Sequence, residues 1–333
     1  MNRRYFIWIA AILFLVVTII AIEMLYFSKS DAAKNPIHIP RGSTLNEMAD
    51  TLLAHDIISN RIAFLIAARM TGSSGRLQSG WYRFPEGLTI HEVVRALSNG
   101  AYRILKKITI PEGATVKMIA SILARECSVD SARTMRLARD AHFLSEHAIA
   151  STSLEGYLFP DTYDAPESND PAVFLRVMIR ASKNEFTSRM KTRMKEIGKT
   201  EHVIRTIASL VEGEATHDDE RARIAGVYYN RLKRNMLLQA DPTIQYILRD
   251  GPRRLFYKDL EIDSPYNTYK YRGLPPTPIN NPGRKSIEAA LYPEQHTFLY
   301  FVADGTGGHR FSSTPEEHQL AVTQYRKLQH EQR

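Results

Sequence analysis

The chain has 333 residues, 44% hydrophobic and 24% charged, a balance that excludes wholesale disorder and allows two or three domains with a sizeable core. Its 44 Lys and Arg against 36 Asp and Glu give a formal charge of +8, which suits a polyanionic neighbour without choosing among nucleic acid, lipid and other polymers. One cysteine excludes an internal disulfide, so stability must come from packing.

After MNRR comes an uncharged apolar run, residues 5–22, ended by Glu23. At 1.5 Å per helical residue it spans roughly 27 Å, close to a bilayer core. Arg3 and Arg4 precede it and Tyr5, Trp8, Tyr26 and Phe27 stand near its ends, as an N-terminus held in the cytoplasm and an aromatic belt require. A cleaved signal peptide has a shorter apolar core and small residues at its cleavage site, whereas AIEMLYF follows here. The expectation is an uncleaved single-pass anchor over residues 1–27, then a linker over 28–36.

Three stretches then share one spacing. Counted from Pro40, Pro85 and Pro111, each has Gly at +2, Thr at +4, an apolar residue at +5, apolar pairs at +8 and +9 and Leu at +12. Pro-x-Gly turns the chain out of a short strand, and Thr44, Thr89 or Thr115 caps a helix with an apolar stripe. Glu47 and Glu92, three residues after their Thr, complete a capping box in two copies. Residues 37–127 therefore read as small strand–helix units. LysM carbohydrate modules are built this way, and a packing spacer fits equally; only Trp81 and Tyr82 offer an outward aromatic shelf. His91 in HEVVR opens like HExxH, but Arg95 replaces the second His, so no metal is expected. Cys127 ends the third helix pattern and reads as structural.

Residues 171–198 read as one helical stretch with a basic distal face, which is most simply solvated. Two more helices follow, EHVIRTIASLVEGEA and HDDERARIAGVYYNRLKRN. Between Glu212 and Glu220 lie five carboxylates. Asp218 or Asp219 is expected to cap the second helix, with Glu220 favoured by its dipole. Glu214 is different. It is three residues on from Val211 and seven from Ile207, so it continues the apolar stripe, while Glu212 falls about 130° from the stripe's centre. A carboxylate in a buried stripe at a helix C-terminus is pushed toward its neutral form, the state a general acid needs. The competing reading pairs Glu214 with Arg221 or Arg231.

Beyond these helices the chain turns polar and irregular. Residues 237–248 set Gln239, Asp241 and Thr243 around a Pro turn. Residues 263–283 form a long loop of Tyr, Asn and Pro, and loops of that length are usually functional. Tyr faces and amides suit sugar rings. Residues 297–313 read as two strands joined by a Gly-rich turn.

LEGYLFPDTY, ASLVEGEAT, YYNRL, LQADPT, YNTY, GLPPTPINNPG and YFVADGTGGH occur in that order over residues 154–311. This set resembles the MltG-type (YceG-like) endolytic murein transglycosylases, bacterial enzymes of the inner membrane. Small departures are Gly213, Ala215 and Ala240, where Lys, Thr and Ser or Thr are common. The resemblance implies an α+β chain: anchor, LysM-like module over 37–102 and catalytic domain over 103–333. It implies lytic cleavage of the MurNAc–GlcNAc bond of nascent glycan, leaving 1,6-anhydro ends, with a role in glycan length and wall biogenesis. It also implies no cofactor, no nucleic acid and partnership with synthases such as penicillin-binding proteins. The catalytic Glu of the family carries over to Glu214. Gln239, Asp241, Thr243, Tyr266, Asn267 and Tyr269 are the expected sugar-binding residues, with Glu155 and Asn230 in support. Two alternatives stay open: a non-catalytic glycan-binding scaffold, and a hydrolase using Glu214 with Asp241.

Overall fold

A computed structural model describes residues 36–331 apart from 41, 167 and 249–250. The apolar run 5–22 and the linker up to residue 35 lie outside the described residues. The chain divides into two compact units, residues up to 107 with 164–168, and 108–163 with the remainder from 169 onward.

In the first unit, β1 (Ile37–Ile39) pairs antiparallel with β2 (Gly80–Tyr82), His38 opposite Trp81. Helices α1 (Leu45–Ala54) and α2 (Arg61–Met70) lie between the strands in sequence, and α3 (Ile90–Asn99) follows them. The Pro-x-Gly-x-Thr spacing folds as its chemistry demands. Gly42, Gly87 and Gly113 all have φ between 73° and 84°, a left-handed turn that a side chain would resist. Thr44 and Thr89 accept the N–H of Glu47 and Glu92, and both glutamates return the bond, closing the two capping boxes. The stripe positions Met48, Ala49, Leu52, Ile90, Val93, Val94 and Leu97 are all buried, packed with Ile37, Ile39 and Phe64. The outward aromatic shelf needs correction: Tyr82 is fully buried, its hydroxyl on the Gln78 carbonyl, and only Trp81 remains half-exposed, stacked on His38.

Strands β3 (Leu105–Thr109) and β4 (Thr162–Pro166) pair where the chain leaves the first unit and returns to it. The third copy of the repeat belongs to the second unit, where Thr115 caps α4 (Val116–Cys127). Two short helices, α5 (Ser131–Leu137) and α6 (Ala141–Glu146), start on Asp130 and Asp140 caps.

The stretch 171–198 is not one helix. It forms α7 (Pro171–Glu185) and α8 (Ser188–Glu196), broken where Thr187 takes an extended conformation and caps α8 through the Met190 N–H. Helices α9 (Glu201–Glu214), α10 (Arg221–Lys233) and α12 (Arg284–Leu291) pack around Ile207, Leu210, Val211, Ile224, Ala225, Ile287 and Leu291. The Pro turn at 242 also differs from expectation, because it begins a helix, α11 (Asp241–Ile247). Proline lacks only an N–H that the first helical turn leaves unbonded anyway, and its fixed φ suits that position. Residues 263–283 are a loop, and β5 (Tyr300–Ala303) and β6 (His309–Ser312) form the expected antiparallel hairpin, followed by α13 (Pro315–Glu331).

Candidate active site

The second unit carries an open groove of about 800 Å³. One wall is the exposed face of α4, the other is the start of α11 with Gln245 and Tyr246, and Ile279 and Asn280 of the long loop lie between. Glu214 and Asp241 open into it together. Glu214 is the last residue of α9, whose stripe Ile204, Ile207, Ala208, Leu210 and Val211 is completely buried. The hydroxyl of Tyr228, a residue 1% exposed, donates to Glu214 Oε1 at 3.1 Å. Burial, followed by the nearby Asp241 charge, pushes the Glu214 carboxyl up from 4.5 to about 8. The Tyr228 bond and the more distant Arg231 charge oppose this and do not prevail. The group is therefore a neutral acid at neutral pH.

Neither arginine is its ion-pair partner. Arg231 donates to the Leu299 and Leu238 carbonyls, at 2.6 and 2.7 Å. Arg221 pairs with Glu212 at 3.2 Å, and Glu212 also accepts the Gly283 N–H at 2.9 Å. Glu212 is thus a buried pin holding the end of the long loop, its side chain only 7% exposed, and not a peripheral acid. The expected cap also fails. Residues Asp218–Glu220 form a 3₁₀ turn with no side-chain cap, Asp218 binds Arg221 and Lys285, and Glu220 accepts from the His309 N–H and ring. A 3₁₀ turn tightens the helix entrance, so these carboxylates reach cations and the hairpin instead of the amides of their own turn.

Of the expected sugar-binding residues, the groove contains Asp241. Tyr269 lies behind it, its hydroxyl donating to Asp241 Oδ1 at 2.5 Å. Tyr266 bonds Thr277 and packs against the Tyr246 ring at 5.0 Å. Thr243 and Asn267 are fully buried: the Thr243 hydroxyl bonds the Ala240 carbonyl, and the Asn267 amide donates to the Leu260 and Ile262 carbonyls. Both have their polar atoms committed to shaping the loops. Gln239 is exposed outside the groove lining, at a positive φ of 47° that strains a non-glycine residue.

Glu155 and Asn230 are braces. Glu155 accepts from the Val116 N–H at 3.0 Å, from Asn281 and from the Tyr246 hydroxyl, tying the start of α4 to the opposite wall. Burial pushes its carboxyl up to about 8. Asn230 donates to the His296 and Phe298 carbonyls. Tyr228, Tyr246 and Asn280 were not singled out from sequence. Tyr228 lies within the YYNRL motif, but its contact with Glu214 spans 14 positions and leaves no local signal.

A carboxyl raised by burial, set beside a second carboxylate in an open groove of about 800 Å³, defines an acid–base site. The profile of the YceG-like family matches residues 37–324, and the chain belongs to that family. It is 38% identical over 306 residues to the endolytic murein transglycosylase of Bacillus subtilis strain 168, covering 87% of this chain and 84% of that one. The protein of the same description from Streptococcus pneumoniae serotype 2 strain D39 is 29% identical; there the match covers 87% of this chain but 58% of the longer relative. A 2.6 Å crystal structure of a protein described as YceG-like from Listeria monocytogenes superposes with a TM-score of 0.61 at 32% identity, over 87% of this chain and 99% of that one.

Proposed function

We infer that this chain is a lytic transglycosylase that cuts murein strands internally, with Glu214 as its acid and base. The observation that carries the reading is the place of Glu214, at the end of the buried α9 stripe, bonded by the Tyr228 hydroxyl and sharing an open groove of about 800 Å³ with Asp241. Protonated Glu214 gives its proton to the glycosidic oxygen as the C1–O bond breaks. The 6-hydroxyl of the same sugar then attacks C1, and the Glu214 carboxylate takes the hydroxyl proton. An anhydro ring and a regenerated acid result, with no water consumed. Because the nucleophile is internal to the substrate, one titrating carboxyl suffices, whereas a hydrolase requires two. Asp241, anchored by Tyr269, supplies negative charge near the developing oxocarbenium ion and keeps Glu214 protonated.

Asp241 in the same groove is also the one observation that favours hydrolysis, since it could activate a water. Digesting murein in heavy-oxygen water separates the two. Anhydro-ended fragments without label are expected; labelled reducing ends would establish a hydrolase.

The same reading makes residues 5–22 a membrane anchor, on the strength of their uncharged run behind Arg3 and Arg4. It sets the enzyme on the outer face of the cytoplasmic membrane, beside nascent glycan and the synthases that extend it, where cleavage would set strand length. Removing residues 1–22 should release the protein from membranes, and continued sedimentation with them would discard the anchor. The strand–helix–helix–strand order of the first unit supports its reading as a LysM-like module. Retained murein binding by the full chain after Trp81→Ala and His38→Ala would argue against that surface holding glycan.

A further inference from the structure

The groove contains a feature that cutting a neutral sugar backbone does not require. Lys117, Ser121 and Arg125 line it from α4 at intervals of four residues, so they stand on one face of that helix. All three are exposed. Met118, 46% exposed, and the half-buried Ile122 complete the same wall. No ion pair forms at Lys117 among the described residues, and Arg125 engages Glu126 through Nε alone, with its side chain 71% exposed. Lys117 therefore faces the cleft without an ion pair, and Arg125 faces it beside Glu126, with no bond at its two terminal nitrogens among the described residues.

Their position relative to the acid is defined by backbone contacts. The turn before α4 is stitched to the long loop, Gly113 N–H to the Asn281 carbonyl at 2.9 Å and Asn281 N–H to the Ala114 carbonyl at 3.0 Å. The side-chain amide of the neighbouring Asn280 donates to the Ser209 carbonyl of α9 at 2.9 Å, so the turn before α4 is tied through the long loop to the helix that ends in Glu214. Lys117 follows in the first turn of α4, and Arg125 is eight residues further, about 12 Å along the helix. The groove thus holds Asp241 beside Glu214 and, on α4, Lys117 near the tied turn with Arg125 further along the helix.

We propose that this wall of α4 is a subsite for the carboxylates of the peptide side chains that murein strands carry on alternate sugars, with Lys117 and Arg125 as the recognising cations and Met118 and Ile122 as the surface for the peptide's apolar parts. The proposal rests on the transglycosylase reading and narrows its substrate to peptide-bearing strands. An acidic side chain is attracted to the cationic stretch and repelled from Asp241, which sets the register of the strand over Glu214. Binding energy gathered away from the scissile bond then holds that bond against the acid.

The test uses the whole protein and two substrates: intact murein strands, and the same strands stripped of peptides by an amidase. For wild type, kcat/KM is expected to be about tenfold higher on the intact strands. In the double variant Lys117→Ala, Arg125→Ala that ratio should fall by roughly three- to tenfold, as for partly exposed charge contacts, and Lys117→Glu should lower it further. Lys117→Arg should keep the preference. All of these changes are on exposed positions, and an unchanged circular dichroism spectrum controls for folding. Equal rates of wild type on both substrates, or an equal loss on both in the double variant, would overturn the proposal. So would an intact preference accompanied by lost binding to phosphatidylglycerol vesicles, which would assign these cations to a lipid surface. Each of those failures leaves anhydro-ended products in place. Their absence from both substrates would instead remove the transglycosylase reading, and this proposal with it.

Discussion

Replacing Tyr228 with Phe should move the activity of this enzyme to more alkaline pH. The hydroxyl donates to Glu214 Oε1 at 3.1 Å from a residue 1% exposed, and the phenol's own pKa is raised well above its ordinary value, so it remains a donor across the working range. Its bond favours the charged form of Glu214, whose carboxyl nevertheless titrates at about 8. A hydrogen bond to a charged group contributes about 1.5–3 kcal/mol, and one pH unit corresponds to about 1.4 kcal/mol. Losing it should raise the titration of Glu214 by about 1–2 pH units. The alkaline limb of kcat/KM, which reports the acid of the free enzyme, should shift upward by that amount. Asp241→Asn should do the reverse, because it removes the negative charge that helps keep the proton on Glu214. The assay is the release of anhydro-ended fragments between about pH 5 and pH 10, with thermal melts to exclude unfolding. Limbs that move in the same direction in both variants, or a downward shift in Tyr228→Phe, would refute the reasoning.

Glu214→Gln should stabilise the fold at alkaline pH. The folded pKa of about 8 lies above the ordinary 4.5, so between these values the folded state binds more protons and stability falls as pH rises. The neutral variant avoids this fall, and its advantage should grow from near zero at about pH 5 to about 2–5 kcal/mol above pH 8, read from denaturant midpoints; equal pH dependence in both proteins would contradict it. Gly226→Ala in α10 should destabilise by about 1–3 kcal/mol despite better helix propensity, because the new methyl would meet the Glu294 carbonyl oxygen and His296 Nε2, both at 2.5 Å. An unchanged or higher Tm would show that this segment yields. Arg205→Ala should cost about 3–5 kcal/mol, since its guanidinium bonds Glu201, Ser182 and the Gly156 carbonyl while packed between Tyr157 and Phe186; a loss below about 1 kcal/mol would mean that water replaces it.

What could be read from sequence was local. Pro-x-Gly-x-Thr specifies a left-handed glycine and a cap within five residues, and both form at each copy. The place of Glu214 at the end of a buried stripe was legible because a carboxylate continued an apolar period. The same wheel failed for Glu212, since α9 is covered on most of its circumference and an off-stripe acid still met Arg221 and Gly283. Thr187 and Pro242 were misread because a cap looks like a helix interior and a first-turn proline looks like a breaker; tertiary packing decides between them. The loop motifs marked residues that matter without showing how. Thr243 and Asn267 turned out to shape the loops from inside, and the Tyr228 and Tyr246 contacts join segments 14 and 91 positions apart.

The central claim is that Glu214 holds its proton at rest, and difference infrared spectroscopy of wild type against Glu214→Gln tests it directly. A protonated carboxyl band should be present at neutral pH and disappear, with a carboxylate band replacing it, near pH 8. A carboxylate band already complete below about pH 6 would contradict the account, because the residue would then have no proton to give to the glycosidic oxygen.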